Sequence, residues 1–95
     1  MKTELIIISE YCRQSDIEPS FIALLEENGL IHIQEIESER FLHQEELPYL
    51  ERYARWYYDL SINIEGIDAI RHLLDRIDDL QCEINDLRNQ IRFFE

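Results

Sequence analysis

The sequence predicts a mainly α fold, a winged helix-turn-helix body with a small β wing followed by a long C-terminal coiled-coil helix. Three observations carry this. Between Ser9 and Leu30 two short helical runs flank a tight turn, with Pro19 opening the second run and Gly29 following it. Pro suits the first position of a helix and Gly suits the left-handed residue just beyond its end. Ile70, Ile77, Ile84 and Ile91 recur at intervals of seven, and Leu73, Leu80, Leu87 and Phe94 repeat that spacing offset by three, which is an a/d heptad seam. Only two Gly and two Pro in 95 residues, with 45% hydrophobic content, leave most of the chain in regular elements and argue against disorder.

Taken in order, Leu5 to Ile8 reads as a short apolar strand, and Ser9 is the expected N-cap of a brief helix from Glu10 to Gln14. Ser15, Asp16 and Ile17 form the turn. The second helix buries Ile22 and Leu25 with Phe21 and Leu24, and turns Ser20, Ala23, Glu26 and Glu27 the other way. Alternation through Ile31, His32, Ile33 and Gln34, resumed at Phe41 and Leu42 after Glu37, Ser38, Glu39 and Arg40, predicts a two-stranded wing. Gln44 to Leu60 is helical, with Leu47, Leu50, Ala54 and Tyr57 on one stripe and Tyr49, Tyr53, Trp56 and Leu60 on the next. Tyr49, Tyr53 and Trp56 fit either a docking stripe, since Tyr and Trp join large area to a polar handle, or packing on the following helix.

Asn63 caps the last helix, which runs about 30 residues or ~45 Å at the usual rise. The predicted organisation is thus a body over residues 1–62 and a coiled-coil helix over 63–95, forming one continuous unit. The seam of Ile70, Leu73, Ile77, Leu80, Ile84, Leu87, Ile91 and Phe94 predicts a homodimer, parallel or antiparallel. Leu74 suggests that the first half of the helix packs inward while the second half pairs.

Composition limits the function. The formal net charge is -12, and the thirds 1–30, 31–60 and 61–95 carry -4 each, so the negative field covers the whole fold instead of a detachable tail. It serves solubility or attracts a basic protein surface. Duplex binding is unexpected, because phosphate contacts from Lys and Arg supply most of the affinity of DNA-binding domains, and the second helix has none. Cys12 and Cys82 form no CxxC pair and read as reduced thiols. His32, His43 and His72 lack zinc-ligand spacing. No metal, no cofactor and no catalytic residue is expected. The run Leu5 to Ile8 is far shorter than the roughly 7 to 15 residues of a signal core, and nothing nears membrane-spanning length. The cytoplasm is the expected location, with no membrane partner.

The order of elements over nearly the whole chain resembles the MerR family. Ile8-Ser9-Glu10-Tyr11, then Glu18-Pro19 and Glu26-Glu27-Asn28-Gly29-Leu30, is similar to that family's opening motif. Leu60-Ser61-Ile62-Asn63-Ile64-Glu65-Gly66-Ile67 resembles the junction of its heat-shock-repressor and chaperone-modulator branches. Within the family, a body with a short coiled-coil tail and no effector domain most resembles the CbpM-type chaperone modulators. Ser20, Ala23 and Glu27 stand where DNA-binding relatives usually place Arg, and the wing offers Glu35, Glu37 and Glu39.

The resemblance implies a protein that binds the J-domain of a DnaJ/CbpA-like co-chaperone and inhibits it by covering the surface used by DnaK. J-domains carry a basic helix, which an acidic body complements. On this reading Glu26, Glu27, Glu37 and Glu39 contact the partner, with Tyr49, Tyr53 and Trp56 as anchors; each Glu can equally be a solvated surface group. Two other readings stand beside it: a MerR-type DNA-binding regulator, and a coiled-coil adaptor working through the Ile70 to Phe94 helix.

Overall fold

A computed structural model describes residues 4–94. Strand β1 (Leu5–Ile7) leads directly into helix α1 (Ile8–Gln14), and α2 spans Pro19–Glu27. Strands β2 (Ile33–Ile36) and β3 (Glu39–His43) precede α3 (Leu47–Ala54), and α4 (Ile64–Phe94) closes the chain. The architecture is mainly helical with one small antiparallel sheet.

Extended Ile7 precedes α1, with no side-chain cap bond. The expected cap at Ser9 is therefore corrected. Pairing of β1 ends at Ile7 opposite Phe41, and the chain bends at once into the helix, so that Ile8 enters the core and Ser9 is already helical.

Helix α2 is bounded as its Pro and Gly predict. Pro19 occupies its first turn, and at its far end Gly29 N–H donates to Glu26 O at 3.0 Å while Leu30 N–H donates to Leu25 O at 2.9 Å. This paired closure is the Schellman motif, and it requires the left-handed φ of 72° at Gly29. It also juxtaposes Leu25 and Leu30, both buried. Phe21 and Ile22 complete the inward face. Leu24, expected there, is 37% exposed, because those side chains already fill the space toward the core.

The wing hairpin turns through Glu37 and Ser38, both at positive φ (49° and 69°), a mirror-image two-residue turn built without Gly or Asn. The two-stranded wing forms as expected, and β1 joins it to make a three-stranded sheet in the order β1-β3-β2. Leu42 faces Ile33 on one side and Ile6 on the other, and is 1% exposed. Strand β1 joins because its apolar residues find cover beside Leu42.

The predicted helix from Gln44 to Leu60 is continuous through Asp59 but changes its hydrogen-bonding pattern twice. A tight turn at Gln44–Glu46 precedes α3, and Arg55–Asp59 form a widened turn whose closing bond runs from Leu60 N–H to Arg55 O, 3.3 Å. The extra residue lets two consecutive side chains reach α2: Tyr57 lies 4.6 Å and Tyr58 5.3 Å from Phe21, between ring centroids. Ser61, at φ 56°, then reverses the chain, and Ile62 N–H donates to Trp56 O at 2.9 Å.

Asn63 Oδ1 accepts from Gly66 N–H at 2.8 Å, which is the cap expected for α4. Ile64 and Ile67 join the same core as Leu50 and Tyr53, so the long helix is rooted in the body. Ile70 and Leu74 are half-buried. Beyond them the helix projects, and the molecule measures 58 × 36 × 21 Å. Leu73, Ile77, Leu80, Ile84, Leu87 and Ile91 are between 39 and 62% exposed. The side chain of Phe94, the last seam position, lies outside the description.

Candidate functional site

The face made by α2 and the wing is built around an internal ion pair. In β3, alternate residues share a side, so the pleat that directs Leu42 into the core directs Arg40 toward α2. Its Nη2 lies 2.5 Å from Glu26 Oε1, each side chain retaining 45% and 39% exposure. Arg40 is the first cationic side chain after Arg13, so the intervening helix and turn present carboxylates alone. Glu27, Glu37 and Glu39 are exposed and make no ion pair among the described residues. The structure thus brings Glu26 to the wing but neutralises it.

The aromatic stripe is split by α4. Tyr53 is 1% exposed, and its hydroxyl accepts from Arg71 on α4. Trp56 is half-buried, with its ring 6.0 Å from that of Tyr53. Tyr49 is 46% exposed, with the Arg71 guanidinium 5.1 Å from its ring centre. Of the three, Tyr49 and Trp56 retain accessible surface, whereas Tyr53 is core. Sequence reasoning missed Arg71, which joins the stripe to α4 and bonds Asp75 one turn later at 3.4 Å. Its spacing to Asp75 was the one available signal. Burial pushes the Tyr53 phenol up, an effect partly offset by Arg71. Burial also pulls Arg71 down, but its bond to Tyr53 and the charges of Tyr53 and Asp75 outweigh that and hold it above its usual range.

Cys12 is half-buried and burial pushes its thiol up, while Cys82 is exposed on α4. Among the described residues no cluster of three His, Cys, Asp or Glu lies close enough to hold a metal ion, and no helix is long and apolar enough to cross a membrane. What the arrangement offers is a negatively charged surface beside a projecting helix.

Residues 6–89 match the model of a family described as MerR HTH family regulatory protein. The chain belongs to the MerR family. No curated protein and no solved structure matches it. The match takes in the helix-turn-helix, the wing, α3 and most of α4, so it identifies a MerR-family regulatory domain. In this MerR-family chain the positions expected to carry Arg are filled by Ser20 and Glu27, both exposed, and by half-buried Ala23.

Proposed function

We propose that this MerR-family protein is a chaperone modulator: it binds the J-domain of a DnaJ/CbpA-like co-chaperone in the cytoplasm and inhibits it by occluding its DnaK-interaction surface. The observation that supports this best is the α2–wing face, where the one cation, Arg40, is paired with Glu26, while Glu27, Glu37 and Glu39 have no ion-pair partner among the described residues. A duplex is repelled by such a face. A basic helix is attracted, with charge setting orientation and association rate, and apolar contacts supplying specificity. Tyr49 and the accessible edge of Trp56 are the aromatic anchors, while Tyr53 supports them from beneath. Inhibition is steric and needs no chemistry or cofactor.

The protein acts as a homodimer. The exposed stripe from Leu73 to Ile91 is the seam, consistent with the tendency of large apolar patches to mark interfaces. Membership of the MerR family itself favours a second reading, a DNA-binding regulator, and the same seam serves a coiled-coil adaptor. The charge-reversed pair Glu26→Lys with Glu27→Lys separates the three. Loss of J-domain binding with the dimer intact supports occlusion by the body. Unchanged binding contradicts this location of the site and favours the adaptor, and specific duplex affinity in the unaltered protein favours the regulator.

A further inference from the structure

We propose that the groove between the end of α1 and the widened turn after α3 seats an arginine side chain of the protein partner. This inference rests on the reading of the protein as a binder of basic protein surfaces, and it locates a second contact away from the α2–wing face. The groove is broadly open to solvent and offers about 540 Å³, more room than one side chain needs, so the chain bearing the arginine also enters. Tyr11 and Tyr58 line it with the apolar Ile17 and Ala54, and so do Asp16, Glu51 and Asp59 with Arg55.

The ring of Tyr58 is held in place. The hydroxyl of Tyr58 accepts from Glu18 N–H at 3.2 Å, and its ring meets those of Phe21 and Tyr57 with centroids 5.3 and 5.1 Å away. Tyr11 is half-buried, and Ser15 Oγ donates to its carbonyl at 2.6 Å. None of the three carboxylates, nor Arg55, makes an ion pair among the described residues, so the groove carries an uncompensated charge of about -2 by count of these groups. A guanidinium matches this lining better than an ammonium does. It is weakly hydrated, stacks its plane on an aromatic face and bonds carboxylates with two parallel N–H groups. Burial, and then the nearby Glu51 charge, push the Tyr11 phenol up, so the wall stays neutral where a cation is to be stacked.

The test uses the full chain and two probes. The first is N-acetyl-arginine methylamide, with N-acetyl-citrulline methylamide as its uncharged counterpart, followed by NMR of backbone amides and tyrosine rings. Saturable shifts centred on Tyr11, Ala54 and Tyr58 with the arginine compound, absent with citrulline and in Glu51→Gln with Asp59→Asn, are expected. Equal shifts with citrulline overturn the proposal, as do shifts spread evenly over Glu37, Glu39, Asp78 and Asp79. The second probe is a J-domain, titrated into the unaltered protein and into Glu51→Lys with Asp59→Lys. A weakening of about tenfold or more, typical of a reversed interfacial charge contact, is expected. J-domain binding that is undiminished in the variant overturns the groove and leaves the modulator reading standing. Seating of the arginine compound without any J-domain binding supports the groove and overturns the modulator reading.

Discussion

Arg40 Nη2 sits 2.5 Å from Glu26 Oε1, so the cation of the wing is neutralised by the carboxylate of the helix beside it. A wing arginine that reads phosphate must point outward and stay free. Here it bridges two elements of the same chain. Arg40→Gln is therefore expected to leave J-domain affinity unchanged or slightly stronger at low salt, and to alter stability by no more than about 0.5–1 kcal/mol, the usual worth of an exposed pair. Calorimetric titration and thermal melts check both. A marked loss of J-domain affinity contradicts the assignment of a passive role to Arg40.

Gly66 is expected to resist the substitution that helix propensity favours. A Cβ there meets Ile62 Cγ2 at 2.8 Å and Asn63 Oδ1 at 3.0 Å. The first atom belongs to a stiff β-branched side chain and the second is the cap itself. Although Ala outranks Gly by roughly 1 kcal/mol in an ordinary helix, Gly66→Ala should lower Tm. Asn63→Ala should cost about 1 kcal/mol through loss of the cap. Denaturant melts of both variants measure this.

Ser61 holds φ 56° at the junction between the widened turn and Asn63. A non-glycine residue in the left-handed region costs roughly 1 kcal/mol. Ser61→Gly should therefore stabilise the fold by several tenths to about 1 kcal/mol, less the added unfolded-state entropy of glycine. A lower midpoint in urea contradicts the strain.

Alkaline pH should weaken the fold through Tyr53. Burial raises its phenol above the ordinary value of 10.0, so the folded state holds the proton more tightly than the unfolded one. The corresponding stability is fully present below pH 10.0 and is lost as pH rises through the higher folded value. Melts at pH 9 and pH 11 (conditions set about the model-peptide value of ~10) should show a falling Tm. Tyr53→Phe should flatten part of that fall while lowering stability at neutral pH through loss of the Arg71 bond.

Ile84 lies in the middle of the exposed seam and is 48% accessible. Ile84→Lys places a charge at an a position, where a dimer would bury it. The variant is expected to sediment as a monomer at concentrations where the unaltered chain is a dimer, with the body still folded. Identical sedimentation of the two chains contradicts dimerisation through this stripe.

How much of this was legible in the sequence depends on the range of the interaction. Pro19, Gly29 and Asn63 announced their roles because caps act within a few residues, and the apolar stripe left exposed along α4 announced itself because a heptad repeats. Strand β1 beside β3 was less visible, since that pairing joins residues 5–7 to 41–43 and no local pattern encodes it. The widened turn depends on Tyr57 and Tyr58 both reaching Phe21, and the burial of Tyr53 depends on Arg71, 18 residues later. Helical periodicity cannot distinguish that arrangement from an exposed stripe. At the candidate site the sign of the charge was legible from composition, whereas the pairing of Glu26 required the pleat of β3.

The most direct test of the central claim, that an acidic MerR-family body binds a basic protein surface instead of DNA, is calorimetric titration of the purified protein with the J-domain of a DnaJ-type co-chaperone at low and high salt. The account predicts saturable binding that weakens as salt rises, because the screening length between exposed charges is about 10 Å at 0.1 M ionic strength and shortens as salt is added. Absence of binding at either salt by a folded sample contradicts it.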